Sequence, residues 1–442
     1  MGTPREDVLD IFKHALEASR VDAAMEQRIK FCDSVMEVQG HRYALKDYKR
    51  CVLIAIGKAS GTMSAAFLRL ARRDADRFEG VVVSPNEEVP QSQRLSYYRG
   101  GHPTPNATSI AAARAVVETL IRLTAEDLVV FLISGGGSAL LEMFVQREAT
   151  LETVAATNKA LVGSGAPIAA INTIRKHLSA VKGGRLAAAA ASSEQLTILV
   201  SDVPPNELDA LSSGPTMPDR STVKDVERVV KEYGLAKRLP PEVVDYLRSE
   251  LMEETPKPGD SIFARSRWVV LLDSSSLERA AAARAAELGW KAHVDRTTDD
   301  WSAVKAAEYL VDRIRSLRKE QGAVCLISAG ELTVELPREG AGTGGRNQHF
   351  ALLCSERIVG DSITVLSCGS DGIDGNSPAA GAVVDGTTVE RASKEGSSVR
   401  DALESFDSYT LLEKLGDSVK TGPTGNNLRD LRILLASEVQ GA

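Results

Sequence analysis

Uninterrupted apolar runs alternate with stretches of helical periodicity along most of the chain. Residues 52–56, 128–133 and 196–200 are apolar at nearly every position, which is typical of strands covered on both faces. Segments with apolar residues at helical spacing follow, as in residues 63–68. Further strand-like runs lie at residues 80–83, 268–272, 324–327 and 363–366. This alternation predicts an α/β fold with mainly parallel sheets.

The length of the chain predicts two domains. A chain of 442 residues exceeds what one hydrophobic core usually serves. Helical periodicity gives way to charged residues, proline and glycine at residues 253–260, as expected of a domain boundary. We therefore predict a Rossmann-like α/β domain over residues 1–256 and a second α/β domain over 257–442. We also expect residues 423–442 to pack back on the N-terminal domain.

Composition excludes several classes of protein. The net charge of −7 disfavours a nucleic-acid binder, whose surface is usually basic. No stretch approaches the roughly 18 apolar residues of a membrane span, and residues 1–7 contain no apolar run, so we expect neither a membrane protein nor a signal peptide. The five cysteines show no C-x-x-C spacing, which favours a reducing, cytoplasmic location.

Three glycine-rich runs follow strand-like segments. They are residues 57–61 (GKASG), 134–138 (SGGGS) and 342–348 (GTGGRNQ). Glycines at a strand exit let backbone amides converge on an anion, and two of the runs carry a cation, Lys58 or Arg346. The pattern predicts an enzyme that handles phosphate groups.

Neither of the common nucleotide motifs is complete. The G-x-x-x-x-G-K-[ST] loop fails because Val52 stands at the first glycine and Ala59 follows the lysine. The G-x-G-x-x-G motif fails at Leu140. Lys58 is therefore either a phosphate ligand or a solvated surface lysine, and the glycine triplet is either an anion nest or a tight turn.

Other polar residues close to predicted strand ends are candidates for substrate or metal binding. His102 lies in a rigid Gly-His-Pro loop, Arg175 and Lys176 belong to a cationic segment, and Asp202 ends a buried strand. Each has a structural alternative, namely a core histidine, a solvated helix face or an N-cap. The carboxylates Glu331, Asp371 and Asp374 also follow strands, and oxygen ligands of this kind suit Mg²⁺.

The ordered set of segments resembles the glycerate kinase family whose C-terminal half is the MOFRL region, also described under the name hydroxypyruvate reductase. The segments that carry this resemblance are residues 56–59 (IGKA), 100–103 (GGHP), 134–140 (SGGGSAL), 171–178 (INTIRKHL), 182–185 (KGGR), 201–203 (SDV), 213–216 (SGPT), 345–348 (GRNQ), 370–375 (SDGIDG), 379–381 (AAG), 407–409 (DSY) and 421–427 (TGPTGNN).

The resemblance implies two α/β domains with the active site in the cleft between them. It implies transfer of the γ-phosphoryl group of ATP to D-glycerate, giving 2-phosphoglycerate or, alternatively, 3-phosphoglycerate. Its lysine, arginine and strand-end aspartate match Lys58, Arg346 and Asp202. The implied partners are D-glycerate, a nucleotide and Mg²⁺, with no nucleic acid or membrane, and a homodimer is one assembly to test.

We assign the remaining candidates by chemistry. Main-chain groups are expected to hold the nucleotide phosphates and polar side chains the sugar acid. The nucleotide-binding candidates are Ser134, Gly135, Gly136, Gly137, Ser138, Gly345 and Asn347, the substrate-binding candidates are His102, Asn172, Arg175 and Lys176, and the metal-binding candidates are Asp371, Asp374 and Glu331.

One segment departs from the family pattern, in which Gly-Asp commonly follows the Ser-Asp-Val. Here residues 204–207 read PPNE, so the role of this loop is open, with Glu207 as a substitute. Two rival functions remain, an NAD(P)H-dependent hydroxypyruvate reductase, which the missing G-x-G-x-x-G disfavours, and a non-catalytic protein that binds sugar acids.

Overall fold

Helices and strands alternate as the sequence predicts. The structure, a computed structural model, describes residues 2–87, 92–146, 148–336 and 340–438. The strands are β1 (Ile29–Cys32), β2 (Val35–Val38), β3 (His41–Ala44), β4 (Arg50–Ile56), β5 (Phe78–Ser84), β6 (Leu95–Arg99), β7 (Asp127–Ser134), β8 (Glu194–Val200), β9 (Ser266–Leu272), β10 (Lys291–Val294), β11 (Val324–Ala329), β12 (Ile363–Gly369), β13 (Gly381–Asp385), β14 (Ser418–Val419) and β15 (Asp430–Ala436).

The α-helices cover both halves of the chain. They are α1 (Pro4–Ala18), α2 (Val21–Arg28), α3 (Ser60–Ala71), α4 (Ala107–Leu120), α5 (Gly137–Leu140), α6 (Leu151–Val162), α7 (Ile168–Leu178), α8 (Arg185–Ala189), α9 (Val223–Glu232), α10 (Pro241–Leu247), α11 (Ser274–Glu287), α12 (Ala303–Gln321), α13 (Arg346–Arg357), α14 (Thr388–Lys394), α15 (Val399–Glu404) and α16 (Ser408–Lys414). No helix among these described residues is long and apolar enough to cross a bilayer.

The first compact unit, Val21–Leu271, is built on a doubly wound sheet. Its strand order is β6-β5-β4-β7-β8-β9, and the pairs β6–β5, β5–β4, β4–β7 and β7–β8 are parallel. Counted from β4, this is the 3-2-1-4-5-6 order of the Rossmann fold. The predicted Rossmann-like architecture is confirmed. A small antiparallel sheet of β1, β2 and β3 precedes it.

Burial explains why the central strands of this sheet are uniformly apolar. All eight residues of β7 are buried, and side chains from β4 and β7 share one hydrophobic cluster with the buried face of α4. The chain leaves β4 toward one side of the sheet and β7 toward the other. Strand order therefore reverses between β4 and β7, and a crevice for ligands is expected at their carboxyl ends.

The second compact unit comprises Met1–Arg20 and Leu272–Ala442. Its sheet has the order β10-β11-β15-β12-β13-β14. Only β10 and β11 are parallel, and the other pairs are antiparallel. The expectation of a mainly parallel sheet is therefore wrong for this unit, because β15 runs against both β11 and β12.

The two units divide the chain differently from the predicted boundary at residue 256. Strand β9 joins the first sheet beside β8, so the first unit extends to Leu271. Helix α1 belongs to the second unit, where Trp290 Nε1 donates to Asp7 Oδ2 at 2.9 Å. Asp430–Ala436 form strand β15 inside the second sheet, and Asn426 Nδ2 donates to Ser19 O at 2.7 Å. The described part of residues 423–442 therefore packs within the second unit, which includes Met1–Arg20.

Candidate active site

Two strand-exit loops of the first unit are tied to each other at the point where strand order reverses. Lys58 N donates to Gly135 O at 2.9 Å, and Ala59 N donates to Ser134 Oγ at 3.0 Å. Gly57 has a φ of +127°, and a Cβ there would lie 2.5 Å from Ser134 O. Only glycine therefore allows the backbones at positions 57 and 134 to lie this close together. The Ser134 hydroxyl thus holds the two loops together.

The glycine triplet presents a set of unused backbone donors. The amide of Gly137 donates to Ser212 Oγ at 3.0 Å, whereas the amides of Gly135, Gly136 and Ser138 have no hydrogen-bond partner among the described residues. Adjacent unpaired N–H groups of this kind form an anion-binding concavity. The geometry favours the anion nest over the tight turn.

Lys58 and His102 approach the nest from the side of Gly136. A Cβ on Gly136 would lie 3.0 Å from Lys58 Cγ and 3.2 Å from His102 Cδ2. Lys58 is exposed, and its side chain makes no hydrogen bond or ion pair with any described residue. Burial, and then the charge of Lys58, lower the pKa of His102. A free ammonium and a neutral imidazole therefore lie beside the nest near pH 7.

Asp202, at the end of β8, lies against the same loop. A Cβ on Gly135 would fall 1.8 Å from Asp202 Oδ2, so the carboxylate occupies the space that a side chain at position 135 would need. Sequence reasoning selected Lys58, the glycine triplet, His102 and Asp202 separately. The structure brings them together.

Two serines that were not among the predicted site residues, Ser212 and Ser213, form hydrogen bonds with the glycine-rich loop of residues 134–138. Ser212 Oγ donates to Ser134 O at 2.7 Å, and the Ser138 and Ser213 hydroxyls are 2.7 Å apart. Ser213 Oγ also donates to Asn172 Oδ1 at 3.4 Å, which connects the substrate-binding candidate Asn172 to the loop. Ser212 and Ser213 have φ values of +51° and +60°. This left-handed backbone conformation is uncommon for residues other than glycine, and such residues cluster at functional sites.

The cationic segment has mainly a structural role. Lys176 Nζ lies 3.0 Å from Asp209 Oδ2 and 3.2 Å from Asp219 Oδ1, and its side chain is 7% exposed. Two carboxylates neutralise its charge, so the structure does not leave it free for the predicted substrate contact. Arg175 Nε donates to Asn158 Oδ1 at 3.2 Å, and burial lowers the pKa of Arg175.

In the second unit, Arg346 begins helix α13 and is held by two carboxylates. Its Nε lies 2.6 Å from Asp430 Oδ2 and its Nη2 lies 3.2 Å from Asp430 Oδ1. Its Nη1 lies 2.9 Å from Glu331 Oε2. Burial alone would lower the pKa of Arg346, but Asp430 and Glu331 raise it. Burial also raises the pKa of Glu331, against the effect of Arg346.

The buried carboxylate Asp374 caps the first turn of α13. Its Oδ1 accepts from the Asn347 amide at 3.1 Å, and its Oδ2 accepts from the Gln348 amide at 2.9 Å. The side-chain amides of both residues donate to it as well. Burial raises the pKa of Asp374, and these donors oppose the shift. Both oxygens are occupied, so Asp374 and Asn347 have structural roles instead of the predicted metal and nucleotide contacts.

Gly345 belongs to the same cap. A Cβ at this position would lie 2.3 Å from Asp374 Oδ1. The absence of a side chain therefore lets the carboxylate reach the helix, and this packing role accounts for the glycine that we predicted to bind nucleotide.

The three predicted metal ligands do not form a metal site. Within the described ranges, no three His, Cys, Asp or Glu side chains are grouped so as to hold an ion. Glu331 pairs with Arg346, Asp374 caps α13, and Asp371 Oδ1 accepts from the Ile373 amide at 3.1 Å. Each carboxylate already satisfies a local donor, and the prediction of a preformed site from them is wrong.

Asp430 is the most important residue that sequence reasoning missed. It is the first residue of β15 and is 3% exposed. Arg429 next to it pairs with Asp299, with Nη1–Oδ2 and Nη2–Oδ1 distances of 2.6 and 2.7 Å. A signal is present in residues 427–432 (NLRDLR), where three charged residues stand at the start of an otherwise apolar strand.

A doubly wound sheet with a glycine-lined anion nest at its switch point defines the first unit as a nucleotide- or phosphate-binding α/β unit. Comparison with known proteins gives the family. Residues 7–248 match a family model described as a domain of unknown function (DUF4147), and residues 324–430 match the MOFRL family. The chain belongs to the glycerate kinase family that combines these two regions.

Characterised relatives span nearly the whole chain. The chain is 33% identical to "Glycerate 2-kinase" of Pyrococcus horikoshii, over 99% of this chain and 98% of the relative. It is 34% identical to "D-glycerate 2-kinase" of Thermotoga maritima, over 87% and 90%. A crystal structure of glycerate kinase from Thermotoga maritima superposes with a TM-score of 0.84 at 32% identity, covering 98% and 99% of the two chains. The expected family and its enzyme class, a kinase, are confirmed.

Proposed function

We propose that this protein is a glycerate kinase that transfers the γ-phosphoryl group of ATP to the 2-hydroxyl of D-glycerate. The products are 2-phosphoglycerate and ADP. The observation that carries this proposal is the similarity, over 99% of the chain, to a relative named glycerate 2-kinase. The position of the phosphate follows the name of that relative.

The anion nest is the part of the first unit best suited to polyphosphate. Three amides, from Gly135, Gly136 and Ser138, have no partner in the described part of the chain and supply fixed donors without the cost of reorganising solvent. Lys58 beside them adds a mobile positive charge, and a lysine binds phosphate as a point charge. We assign the nest to the nucleotide phosphates and Lys58 to the charge that develops on the transferred group.

Asp202 is placed to handle the substrate hydroxyl. In the transfer, the hydroxyl oxygen forms a bond to the γ-phosphorus, the bond from that phosphorus to the β–γ bridging oxygen breaks, and ADP leaves. The hydroxyl proton passes to the Asp202 carboxylate. A positioned carboxylate typically contributes about 10²- to 10⁴-fold as a general base. His102, next to Gly136, supplies a neutral hydrogen-bonding group for the sugar acid.

Arg346 retains donors while it is held in place. A guanidinium has five N–H groups, of which three point to Asp430 and Glu331. One N–H on each terminal nitrogen has no partner among the residues that the structure describes, and the side chain is 35% exposed. We assign these two donors to the phosphoryl oxygens, with Asp430 and Glu331 as positioning residues.

Mg²⁺ is expected with the nucleotide rather than in a protein cage. The described residues offer no group of three metal-ligating side chains, and Mg²⁺ in kinases is commonly held by substrate phosphates, water and one or two carboxylates. No step of the transfer above depends on a protein-bound metal.

A matched pair of lysine variants tests this proposal. Purified protein is given Mg-ATP and D-glycerate, and ADP release is followed by a coupled assay. Lys58→Ala should abolish most of the release, whereas Lys49→Ala should not, because Lys49 lies on the surface and pairs with Glu126. Oxidation of NADH with hydroxypyruvate, without ADP release from glycerate, would favour the reductase. Binding of glycerate without either reaction would favour the non-catalytic protein.

A further inference from the structure

The second unit contains a cavity of about 740 Å³ beside Arg346. A volume of this size is typical of sites for drug-sized ligands, and it greatly exceeds what a three-carbon acid needs. Its lining includes the apolar side chains of Leu332, Val334 and Ile373, the rings of His349 and Phe406, and Arg346. The cavity therefore combines an apolar wall with a fixed cation.

The aromatic part of the wall is built from two stacked rings. His349 and Phe406 have ring centroids 5.1 Å apart and an interplanar angle of 3°. Phe406 has a φ of +55° because it is the left-handed residue of the Schellman motif that ends α15, in which Phe406 N donates to Leu403 O at 3.2 Å and Asp407 N donates to Ala402 O at 2.9 Å. This helix end places the ring in the cavity wall.

His349 adds an unsatisfied polar atom to the same wall. The residue is 8% exposed, and its Nδ1 has no hydrogen-bond partner among the described residues. Burial lowers the pKa of His349, so the ring is neutral near pH 7 and offers one donor and one acceptor. Such an orphaned atom costs free energy unless a ligand satisfies it.

The rest of the lining is polar: Gly342, Gly344 and Gly345 lie there with Arg346 and the carboxylates Asp371, Asp374 and Asp430. The amides of Gly342 and Gly344 already donate to Ser405 O and Asn376 Oδ1, so the group in this part of the lining that suits phosphate is the Arg346 guanidinium, which keeps two N–H groups without a partner among the described residues. The stacked rings suit a flat heteroaromatic base. D-Glycerate has no apolar or planar portion that would use such a wall.

We propose that this cavity binds the nucleoside portion of the nucleotide, with the base against the Phe406–His349 pair and the phosphates toward Arg346. This inference rests on the proposed function, because it names where the ATP of that reaction is recognised. It assigns nucleotide affinity to the second unit's aromatic wall.

Calorimetry of the full-length protein with two probes tests the inference. The probes are ADP, which carries a base, and inorganic tripolyphosphate, which does not. Phe406→Gly removes the ring and leaves a residue that tolerates a positive φ. Arg72→Gly is the control, because Arg72 has a similar φ of +51° and lies in the first unit.

We expect Phe406→Gly to weaken ADP binding at least about tenfold, the scale of one base–aromatic stack. Tripolyphosphate affinity should stay within about twofold of wild type, and Arg72→Gly should change neither. An unchanged dissociation constant for ADP in Phe406→Gly would overturn the inference. Equal weakening of both probes, or no ADP binding by the wild-type protein, would also overturn it.

A second pair of variants covers the case in which Phe406→Gly does not fold. Ile373 is 49% exposed at the cavity, and Val359 is 58% exposed and does not line it. Ile373→Trp should fill the mouth and weaken ADP binding, whereas Val359→Trp should not. If Ile373→Trp binds ADP like the wild type, the cavity is not the nucleoside site.

The two proposals fail in different ways. If the protein makes phosphoglycerate but Phe406→Gly binds ADP like the wild type, the proposed function stands and the inference about the cavity is wrong. If the protein makes no phosphoglycerate, the proposed function is wrong, and calorimetry with ADP and tripolyphosphate still tests the inference about the cavity.

Discussion

Replacing Gly135 by alanine should displace the Asp202 carboxylate, a proposed catalytic group, while leaving Asp202 itself unchanged. The new methyl would lie 1.8 Å from Asp202 Oδ2, and real Cβ contacts stay beyond about 3.0 Å. The backbone of Gly135 is not in the left-handed region, so alanine introduces no conformational strain. The contact is with the end of a side chain, so the carboxylate is the group that moves.

The size of the displacement sets the expected effect. The difference between 3.0 and 1.8 Å is 1.2 Å, the least that the carboxylate must shift. A misplacement of about 1 Å in a catalytic group costs on the order of 10²-fold in rate, which corresponds to about 2.7 kcal/mol of barrier. We therefore expect a fall in kcat that persists at temperatures well below the Tm of the variant, where the protein is folded.

The assay is steady-state ADP release together with a thermal melt. Gly163→Ala is the control, because a Cβ there meets only Lys159 O at 3.1 Å. A double variant, Gly135→Ala with Asp202→Asn, should be no slower than Asp202→Asn alone, since both changes remove the same function. A kcat for Gly135→Ala equal to the wild type would remove Asp202 from the mechanism.

Three further predictions address charge and stability. Lys58→Ala should lower kcat, measured by ADP release, by about 10²-fold or more, because it removes a charge that stabilises the transition state. A near-normal kcat would exclude Lys58 from the mechanism. Asp374→Ala should lower the free energy of unfolding by about 2–4 kcal/mol in urea titration, because it orphans buried donors at the start of α13; an unchanged midpoint would contradict the capping role. Burial opposes ionisation of Asp219, but Lys176 and hydrogen bonds lower its pKa below 3.8, so its contribution to stability is present above that pH and is lost as the pH falls. Asp219→Asn should therefore destabilise the protein at pH 7 and flatten the pH dependence of unfolding below pH 4, and an acid transition as steep as that of the wild type would refute this.

The first unit was predictable from its sequence because each layer of the fold leaves a simple pattern. Strands buried on both faces read as apolar runs, and the residues that follow them, such as Lys58 and Asp202, stand out as polar at strand ends. Parallel strands place all those ends at one edge of the sheet. The positions of the strands in the sequence were therefore enough to predict that the anion nest, Lys58 and Asp202 lie close together.

The second unit was harder because its sheet is mixed. Strand β15 runs against its neighbours, so its first residue, Asp430, meets the ends of β11 and β12, which come much earlier in the chain. Periodicity does not reveal strand direction. The metal prediction failed for a related reason, since carboxylates at strand ends also serve as helix caps and arginine partners, as Asp374 and Glu331 do.

The most direct test of the account is the identity of the phosphorylated product. Purified protein is incubated with Mg-ATP and D-glycerate, and the products are resolved by ³¹P NMR. The account predicts ADP and 2-phosphoglycerate in equal amounts, and formation of both about 10²-fold or more slower in the Lys58→Ala variant. Unchanged ATP in the wild-type reaction, or ADP with free phosphate and intact glycerate, would contradict it.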